Sequence, residues 1–600
     1  MKKLVIKENK KGFITNNSRK PYIIVILFVT AVYLQVIGFS YTGFDDDFLV
    51  VNNIEKLSDF GNIDDIFTGN SFLSDAVYGF YRPIQTLSFI IDTSIGGGSL
   101  WMFHLTNFLL HCMVSCLILV LLKRLKFDAI LSFIAVLIFS VHPLFAVDIA
   151  WLPARGDLLI AVFCISSFIM FLKFLDTNKY HHLFIHTVLL FIAFLSKETA
   201  VLFPSIFVLY LLFSKRKLFN KELLLVYFLW LSIFGIWFVL RSGSVQDFPG
   251  NQIFGLIPFI ENLSSFPEYI SKFFLPYNLM PLPIYQLVVT AIGAFIILVF
   301  IILYFYKKNF NKFNFLLGLA WFVILILPGM FYGRYYPKSE QFYHYLDHRT
   351  YLPFVGILIL LIELFGTYLK KIRARRLVIS GIIISLLLSL ISFNHVKIFS
   401  SPEKFLNAAT EANPNASVAY FLKGNISKDA GDYTSAVKDY SEAISIDNEY
   451  AEALNNRGSL YGMAGEYEKS INDLRKAIQL DPSIPDGYFN RAIARDATGD
   501  YQGAIEDFTK SLSLNPNDYL IFYLRANSYA AIGRNKKALT DYNMAINLNP
   551  DYVKAYINRG IERYKLSDVE GACSDWKKAA EMGSPDALQM MKKYCSKKQF

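Results

Sequence analysis

Three adjacent carboxylates, Asp45-Asp46-Asp47, follow Phe44 directly after the first long apolar run of the chain. Side by side they repel one another, so at least one pKa rises unless a cation or a partner compensates. A carboxylate at a membrane surface can act as a general base toward an acceptor hydroxyl; the same triplet also reads as a helix cap or a solvated acidic turn. Asp46 is the first choice for the base and Asp45 the second. Other polar side chains gather in three more loops. His142-Pro143 leads to Asp148, Trp151, Arg155 and Asp157; Lys197 and Glu198 are adjacent; Arg334 precedes Asp347, His348, Arg349 and Tyr351. Such cations suit a phosphate at headgroup depth, and the carboxylates suit an acceptor hydroxyl. Together they describe a polyprenyl-phosphate-linked donor meeting a nucleophile. Arg155–Asp157 and Lys197–Glu198 read equally well as salt bridges between spans. Three aspartates are also oxygen ligands for a divalent cation, so metal dependence stays open.

The elements that position these loops are long and apolar. Before residue 400, apolar runs of roughly 17–25 residues recur, the length that crosses a bilayer as a helix. They predict about eleven spans, near 21–40, 101–122, 128–146, 157–175, 181–195, 199–213, 222–240, 284–306, 314–332, 350–369 and 377–394. The first run is long enough to span and lacks a small-residue cleavage site, so no cleavable signal is expected. Orientation follows from the basic loops. Lys2, Lys3, Lys7, Lys10, Lys11, Arg19 and Lys20 share a side with Lys123-Arg124-Leu125-Lys126, Lys173, Lys179, Lys215-Arg216-Lys217, Lys307-Lys308 and the Lys370–Arg376 cluster. That side is cytoplasmic. The acids and cations above, the large first outer loop 41–100 and everything after 400 then fall on the other side.

After 400 the chain repeats with a period of 34 residues. Gly424, Gly458, Ala492, Ala526 and Gly560 are evenly spaced, as are Gly431, Gly465, Gly499 and Gly533; Pro482, Pro516 and Pro550 end successive units. Small residues at this spacing let two short helices pack closely, which is the tetratricopeptide pattern. It predicts five repeats over 415–584, a partial leading repeat helix over 401–414 and a capping helix over 585–600. Ser567 and Ser584 replace the Gly and Pro of the terminal unit. Asn456, Asn490 and Asn558 recur at one register, an amide ladder that could hold an extended acceptor peptide or simply face solvent.

Composition agrees with this division. The 600 residues are 54% hydrophobic and 18% charged, whereas soluble chains carry about a quarter charged residues. Of the net charge of +10, residues 401–600 carry −2 and the first 400 carry +12. The surplus is a topology signal and implies no nucleic acid partner. Five scattered cysteines make neither a disulfide scaffold nor a zinc motif; Cys573 and Cys595 share the outer side, but spacing alone does not pair them.

The first 400 residues resemble polytopic glycosyltransferases of the GT-C class. With the repeats attached, the chain resembles the transmembrane and TPR-containing O-mannosyltransferases and their bacterial relatives. The matching pieces are Asp45-Asp46 with Asn53, Tyr81-Arg82-Pro83, Phe103-His104 through Asn107 to His111, His142 to Asp157, Lys197-Glu198, Tyr269 to Pro276, and His348-Arg349-Thr350-Tyr351-Leu352-Pro353. The resemblance implies a catalytic acid in the first outer loop, at Asp46 or Asp45. It implies a dolichyl- or undecaprenyl-type phosphate sugar as donor, with its phosphate held by Arg82, Arg155, Lys197 and Arg349. His142, Asp148, Asp157, Glu198, Asp347, His348 and Tyr351 would support them. Eukaryotic members tend to carry Glu at the position of Val147; here the acid is Asp148. That departure points to a bacterial relative in the inner (plasma) membrane, and the resemblance does not carry mannose over as the sugar.

The fold expected is therefore all-α: a polytopic membrane domain over 21–400 behind a basic N-terminus (1–20), followed by a TPR α-solenoid. The function expected is a membrane glycosyltransferase acting on an acceptor hydroxyl, such as protein Ser or Thr, on the non-cytoplasmic face, with the repeats recruiting the acceptor. The alternative is a non-enzymatic, membrane-anchored TPR scaffold, which one span would suffice to anchor. A transporter would place ionisable residues at mid-span; here they sit mostly at span ends.

Overall fold

The computed structural model describes residues 18–68, 80–214, 218–244, 252–277, 279–282, 286–307, 311–334 and 347–595. The chain divides into two units, Met1–Pro414 and Asn415–Phe600. Both are helical. Among the described residues the single exception is a three-residue antiparallel pairing of Gln252–Phe254 with Tyr332–Arg334.

Among the described residues of the first unit seven helices are long and apolar enough to cross a membrane: Lys20–Gly38, Leu100–Arg124, Leu152–Thr177, Lys221–Ser244, Leu287–Tyr306, Lys312–Met330 and Ala374–Ser400. Ala129–Ser140 and Pro143–Ala150 make an eighth if their 51° break is bridged. Tyr180–Ser196, Glu198–Phe213 and Phe354–Leu369 are apolar but shorter. At about 1.5 Å per residue, none of these three reaches the ~30 Å of a bilayer core by itself. Every segment predicted from hydropathy contains a helix among the described residues, but the count of eleven full spans is not reached on length.

Burial ranks the helices. Most of Leu152–Thr177 is buried, whereas Leu287–Tyr306 and Ala374–Ser400 are mostly uncovered and expose leucine, isoleucine and phenylalanine. A helix apolar on every face is either core or lipid-facing; here one is core and two face lipid. Close packing uses small residues: a Cβ on Gly318 would lie 2.6 Å from the Gly356 carbonyl oxygen. Helix ends carry their own signals. Asp128 caps Ala129–Ser140 by accepting from the N–H groups of Ile130 and Leu131. Pro83 opens Pro83–Gly96, and Gly97, at φ 59°, closes it.

In the second unit the small-residue positions are where one helix of a repeat crosses the other. A Cβ on Gly424 would collide with the ring of Tyr440, on Gly458 with Leu474, and on Gly560 with Trp576. Gly431, Gly465, Gly499 and Gly533 all take positive φ between the two helices; Ser567 adopts the same conformation in the fifth repeat. Pro585–Tyr594 caps the stack, and a Cys573–Cys595 disulfide with a Cα separation of 5.9 Å ties its end to Val569–Glu581. Helix Pro402–Ala412, expected to lead the repeats, falls in the first unit, where Phe405 packs on Phe44 and Phe399.

Candidate functional site

The acidic triplet forms a tight turn. Asp45 takes φ 62°, a left-handed conformation that Asp tolerates better than most residues, and caps the four-residue helix Asp46–Leu49. The turn sends the two carboxylates to different environments. Asp46 is fully buried, and its Oδ2 accepts from the backbone N–H and, at 2.7 Å, the hydroxyl of Thr42; Asp45 stays partly exposed. The Asp47 side chain lies outside the described residues. Trp151 donates from Nε1 to the Phe44 carbonyl at 2.9 Å and packs against the Phe44 ring. The triplet is thus pinned to the loop that begins at His142.

That loop brings a second buried acid. Asp148 is fully buried. Burial, and then the Asp148 charge, push the Tyr351 hydroxyl well above its ordinary pKa, so Tyr351 remains a donor. It donates to Nδ1 of His111, whose Nε2 sits 2.9 Å from the Ser140 carbonyl. Tyr351 therefore ties the end of the 347–353 segment to helix Leu100–Arg124. His142 is similarly committed. Its Nε2 lies 2.9 Å from the Phe273 carbonyl, its ring stacks on Phe273, and its Nδ1 accepts from the Leu144 N–H.

The expected phosphate-binding cations lie in a different arrangement. Arg155 pairs with Asp92 at 2.6 Å and Lys197 with Asp157 at 2.6 Å, while Arg82 reaches Glu198 at 3.1 Å. The pairs run between segments, not between sequence neighbours as Arg155–Asp157 and Lys197–Glu198 had suggested. Each of three segments supplies one base and one acid: Arg82 and Asp92 from Pro83–Gly96 and its cap, Arg155 and Asp157 from the next, Lys197 and Glu198 from the junction after Tyr180–Ser196. The pairs close a ring.

Arg155 is the innermost member. It is fully buried and also donates to Asn107 Oδ1 at 2.7 Å, the Phe103 carbonyl at 2.7 Å and Ser88 Oγ at 3.1 Å, with Phe89 beneath it. An enclosed guanidinium with these partners does not fit the phosphate contact expected of it; it holds three helices together. Lys197 is slightly less enclosed. Burial pulls its pKa below the ordinary value and Asp157 pulls it back, while Arg82 and Arg349 both repel its charge. Arg82 and Arg349 are thus the two cations whose charge acts on Lys197. Arg349 donates to the Gly329 carbonyl at 3.0 Å. Asp347 and His348 start the turn Asp347–Thr350, and their side chains lie outside the described residues. Among the described residues no three His, Cys, Asp or Glu side chains gather as metal ligands.

Sequence reasoning missed Asp92, a lone acid in an otherwise apolar helix, although its type and setting were the signal. Burial pushes its carboxyl up, and Arg155 and Thr106 pull it back. Glu268, fully buried, was also passed over, just before the Tyr269–Pro276 stretch that holds the equally buried Lys272. Glu268 accepts from the Gln286 N–H and the Thr290 hydroxyl, each at 2.9 Å.

In the repeats the asparagines turn toward their neighbours. Asn456 donates to Asn425 Oδ1 at 3.0 Å and Asn558 to Asn527 Oδ1 at 2.9 Å, each bridging to the preceding repeat. Tyr440 and Tyr542 donate to the same acceptors at 2.7 Å; burial pushes the Tyr440 hydroxyl up to about 12, so it keeps its proton. Asn490 is partly buried at the same register. The neighbouring arginines make forked pairs within their repeats: Arg457–Asp473, Arg491–Asp507, Arg525–Asp541 and Arg559–Asp575. This register chiefly holds the stack together.

Comparison with known proteins agrees with both halves. Residues 86–238 match the family model described as dolichyl-phosphate-mannose-protein mannosyltransferase. Residues 424–465 and 526–567 match a TPR repeat model, and 451–484 and 485–518 a tetratricopeptide repeat model. The chain is 33% identical over 114 residues to protein O-mannosyl-transferase TMTC2 of Mus musculus, covering 19% of this chain and 14% of that one. It is 22% identical over 494 residues to TMTC1 of Homo sapiens, covering 69% and 54%, and 32% identical over 176 residues to human TMTC4, covering 26% and 24%. The chain thus spans at most about half the length of these relatives. The chain is thus a multi-pass membrane protein with C-terminal tetratricopeptide repeats, and it is similar over residues 86–238 to the dolichyl-phosphate-mannose-protein mannosyltransferase family.

Proposed function

We propose that the protein transfers a hexose, mannose by its relatives' names, from a polyprenyl-phosphate donor to a protein Ser or Thr hydroxyl on the non-cytoplasmic face. The observation that carries this reading is a buried acid, Asp46, on the first loop of a unit in which the charges of Arg82 and Arg349 both act on Lys197. In the step proposed, Asp46 takes the proton of the acceptor hydroxyl, and the acceptor oxygen forms a bond to the sugar C1. The bond from C1 to the phosphate oxygen breaks, and its electrons leave with the polyprenyl phosphate. Arg82 and Arg349 stabilise that developing charge from the side, as preorganised cations do in a water-poor site. Thr42 holds one oxygen of Asp46 and thereby aims the other. Arg155, Asp92 and Asn107 fix the frame. The repeats recruit the acceptor.

The basic loops on the opposite side support this orientation, as does the Cys573–Cys595 disulfide, since such bonds persist in oxidising compartments. The test is transfer from labelled polyprenyl-phosphate mannose, with the matching glucose donor beside it, in membranes holding the full chain. Asp46→Asn should lower transfer by about 10²-fold or more at unchanged protein level. Undiminished transfer would remove Asp46 from the reaction, and transfer from the glucose donor alone would replace mannose.

A further inference from the structure

The three ion pairs of the ring are not equally enclosed. Side-chain exposure is 0% and 3% for Arg155 and Asp92, 9% and 7% for Lys197 and Asp157, and 15% and 23% for Arg82 and Glu198. Opening either of the first two would strand a charge away from water, at a cost of several kcal/mol. The third can open toward solvent. Its carboxylate is also held at two points of different character: Oε1 accepts from the backbone N–H of Tyr81 at 2.9 Å, and Oε2 from Arg82 Nε at 3.1 Å. If Oε2 leaves Arg82, the Tyr81 contact still anchors Glu198. The surroundings favour that exchange when an anion arrives, because Arg82 and Arg349 both press on Lys197. A phosphate presents more oxygen acceptors to a guanidinium than one carboxylate oxygen does.

We propose that Glu198 is a resident carboxylate that occupies Arg82 until the phosphate of an isoprenoid-phosphate ligand displaces it. This rests on the reading of Arg82 as a phosphate ligand and adds a regulating element to it. With no ligand the corner is paired and the cations are kept from bulk anions. When the lipid phosphate enters, it replaces the carboxylate on Arg82 while the two enclosed pairs keep the frame rigid. Glu198 therefore sets affinity by competition and selects for a ligand able to outbid a carboxylate. It is a positioning residue, and its removal should tighten binding, the opposite of what a purely structural ion pair predicts.

The experiment is equilibrium binding of radiolabelled farnesyl phosphate to the full chain in detergent, with farnesol and inorganic phosphate in parallel. Glu198→Gln keeps size and the acceptor for Tyr81, so the fold should hold, as a thermal melt will report. Farnesyl phosphate should bind Glu198→Gln about fivefold tighter than the unsubstituted chain, the size of one partly exposed ion pair. Farnesol should bind both alike, and inorganic phosphate should bind more weakly than farnesyl phosphate. Arg82→Ala should weaken binding about tenfold, and the double variant should lose the gain. Equal or weaker binding by Glu198→Gln, or a gain that survives in the double variant, would overturn the competition while leaving the phosphate site standing. If the unsubstituted chain binds farnesyl phosphate no better than farnesol, the phosphate reading itself falls.

Discussion

Buried charge is the most expensive thing in this molecule, so at the scale of single residues each instance needs a compensating partner. Asp92 and Arg155 show how this is met. The guanidinium has a carboxylate, an amide oxygen, a carbonyl and a hydroxyl around it, and an aromatic ring below. Asp92 in turn accepts from Thr106 at 2.6 Å. Asp92→Asn keeps the shape and removes the charge, leaving Arg155 ionised in an enclosed site. The expected cost is about 3–5 kcal/mol, read as a marked fall in the thermal midpoint of the detergent-solubilised chain. Glu198→Gln, at the open pair, should leave that midpoint nearly unchanged. An equal fall in both would mean that the enclosure gradient has no energetic weight.

Elements in the two units pack by the same device, small residues at crossings, for different reasons. In the membrane unit, Gly318 and Gly356 let two helices approach where the hydrophobic effect offers little. In the repeat unit, glycine makes room for a large ring, Tyr440 at Gly424 and Trp576 at Gly560. Gly560→Val would place its Cβ 2.5 Å from the Trp576 indole nitrogen. Overpacking of this kind costs about 1–3 kcal/mol. Because repeats are coupled mainly to their neighbours, the damage should be local. Hydrogen exchange on the full chain should show lost protection in Val553–Lys565 and Val569–Glu581, with Ser417–Asp429 and Tyr433–Ile446 unchanged. Uniform loss would argue for a stack that unfolds as one.

For the whole molecule, the informative bond is the disulfide. Cys573 and Cys595 are 22 residues apart, and closing such a loop stabilises the cap by about 3 kcal/mol on the chain-entropy account. The bond also reports the compartment in which the repeats matured. Maleimide should not label Cys573 or Cys595 in membranes prepared under non-reducing conditions, and should label both after reduction. Labelling without reductant would place the repeats in a reducing compartment and reverse the proposed orientation. Cys112, Cys116 and Cys164 are free, and the last is buried in the core helix Leu152–Thr177.

Much of this architecture was legible in the chain. Apolar runs, basic loops and a 34-residue period are local or recurrent, so they survive without knowledge of what packs where. The acids and cations of the loops between the apolar runs were legible as a set for the same reason: ionisable residues beside apolar spans are costly and therefore few. Their partners were not. Arg155 stands two residues from Asp157 in sequence yet pairs with Asp92, and Lys197 pairs with Asp157 instead of Glu198. Adjacent side chains on a helix diverge, whereas helices brought together by packing present theirs to one another. The same physics turned Asn456 and Asn558 inward to the preceding repeat, and split Asp45 from Asp46 by one left-handed residue. Sequence alone determined which residues are expensive and that they gather at the ends of the apolar runs; only the tertiary structure decided which of them compensate each other, because that depends on which helices meet.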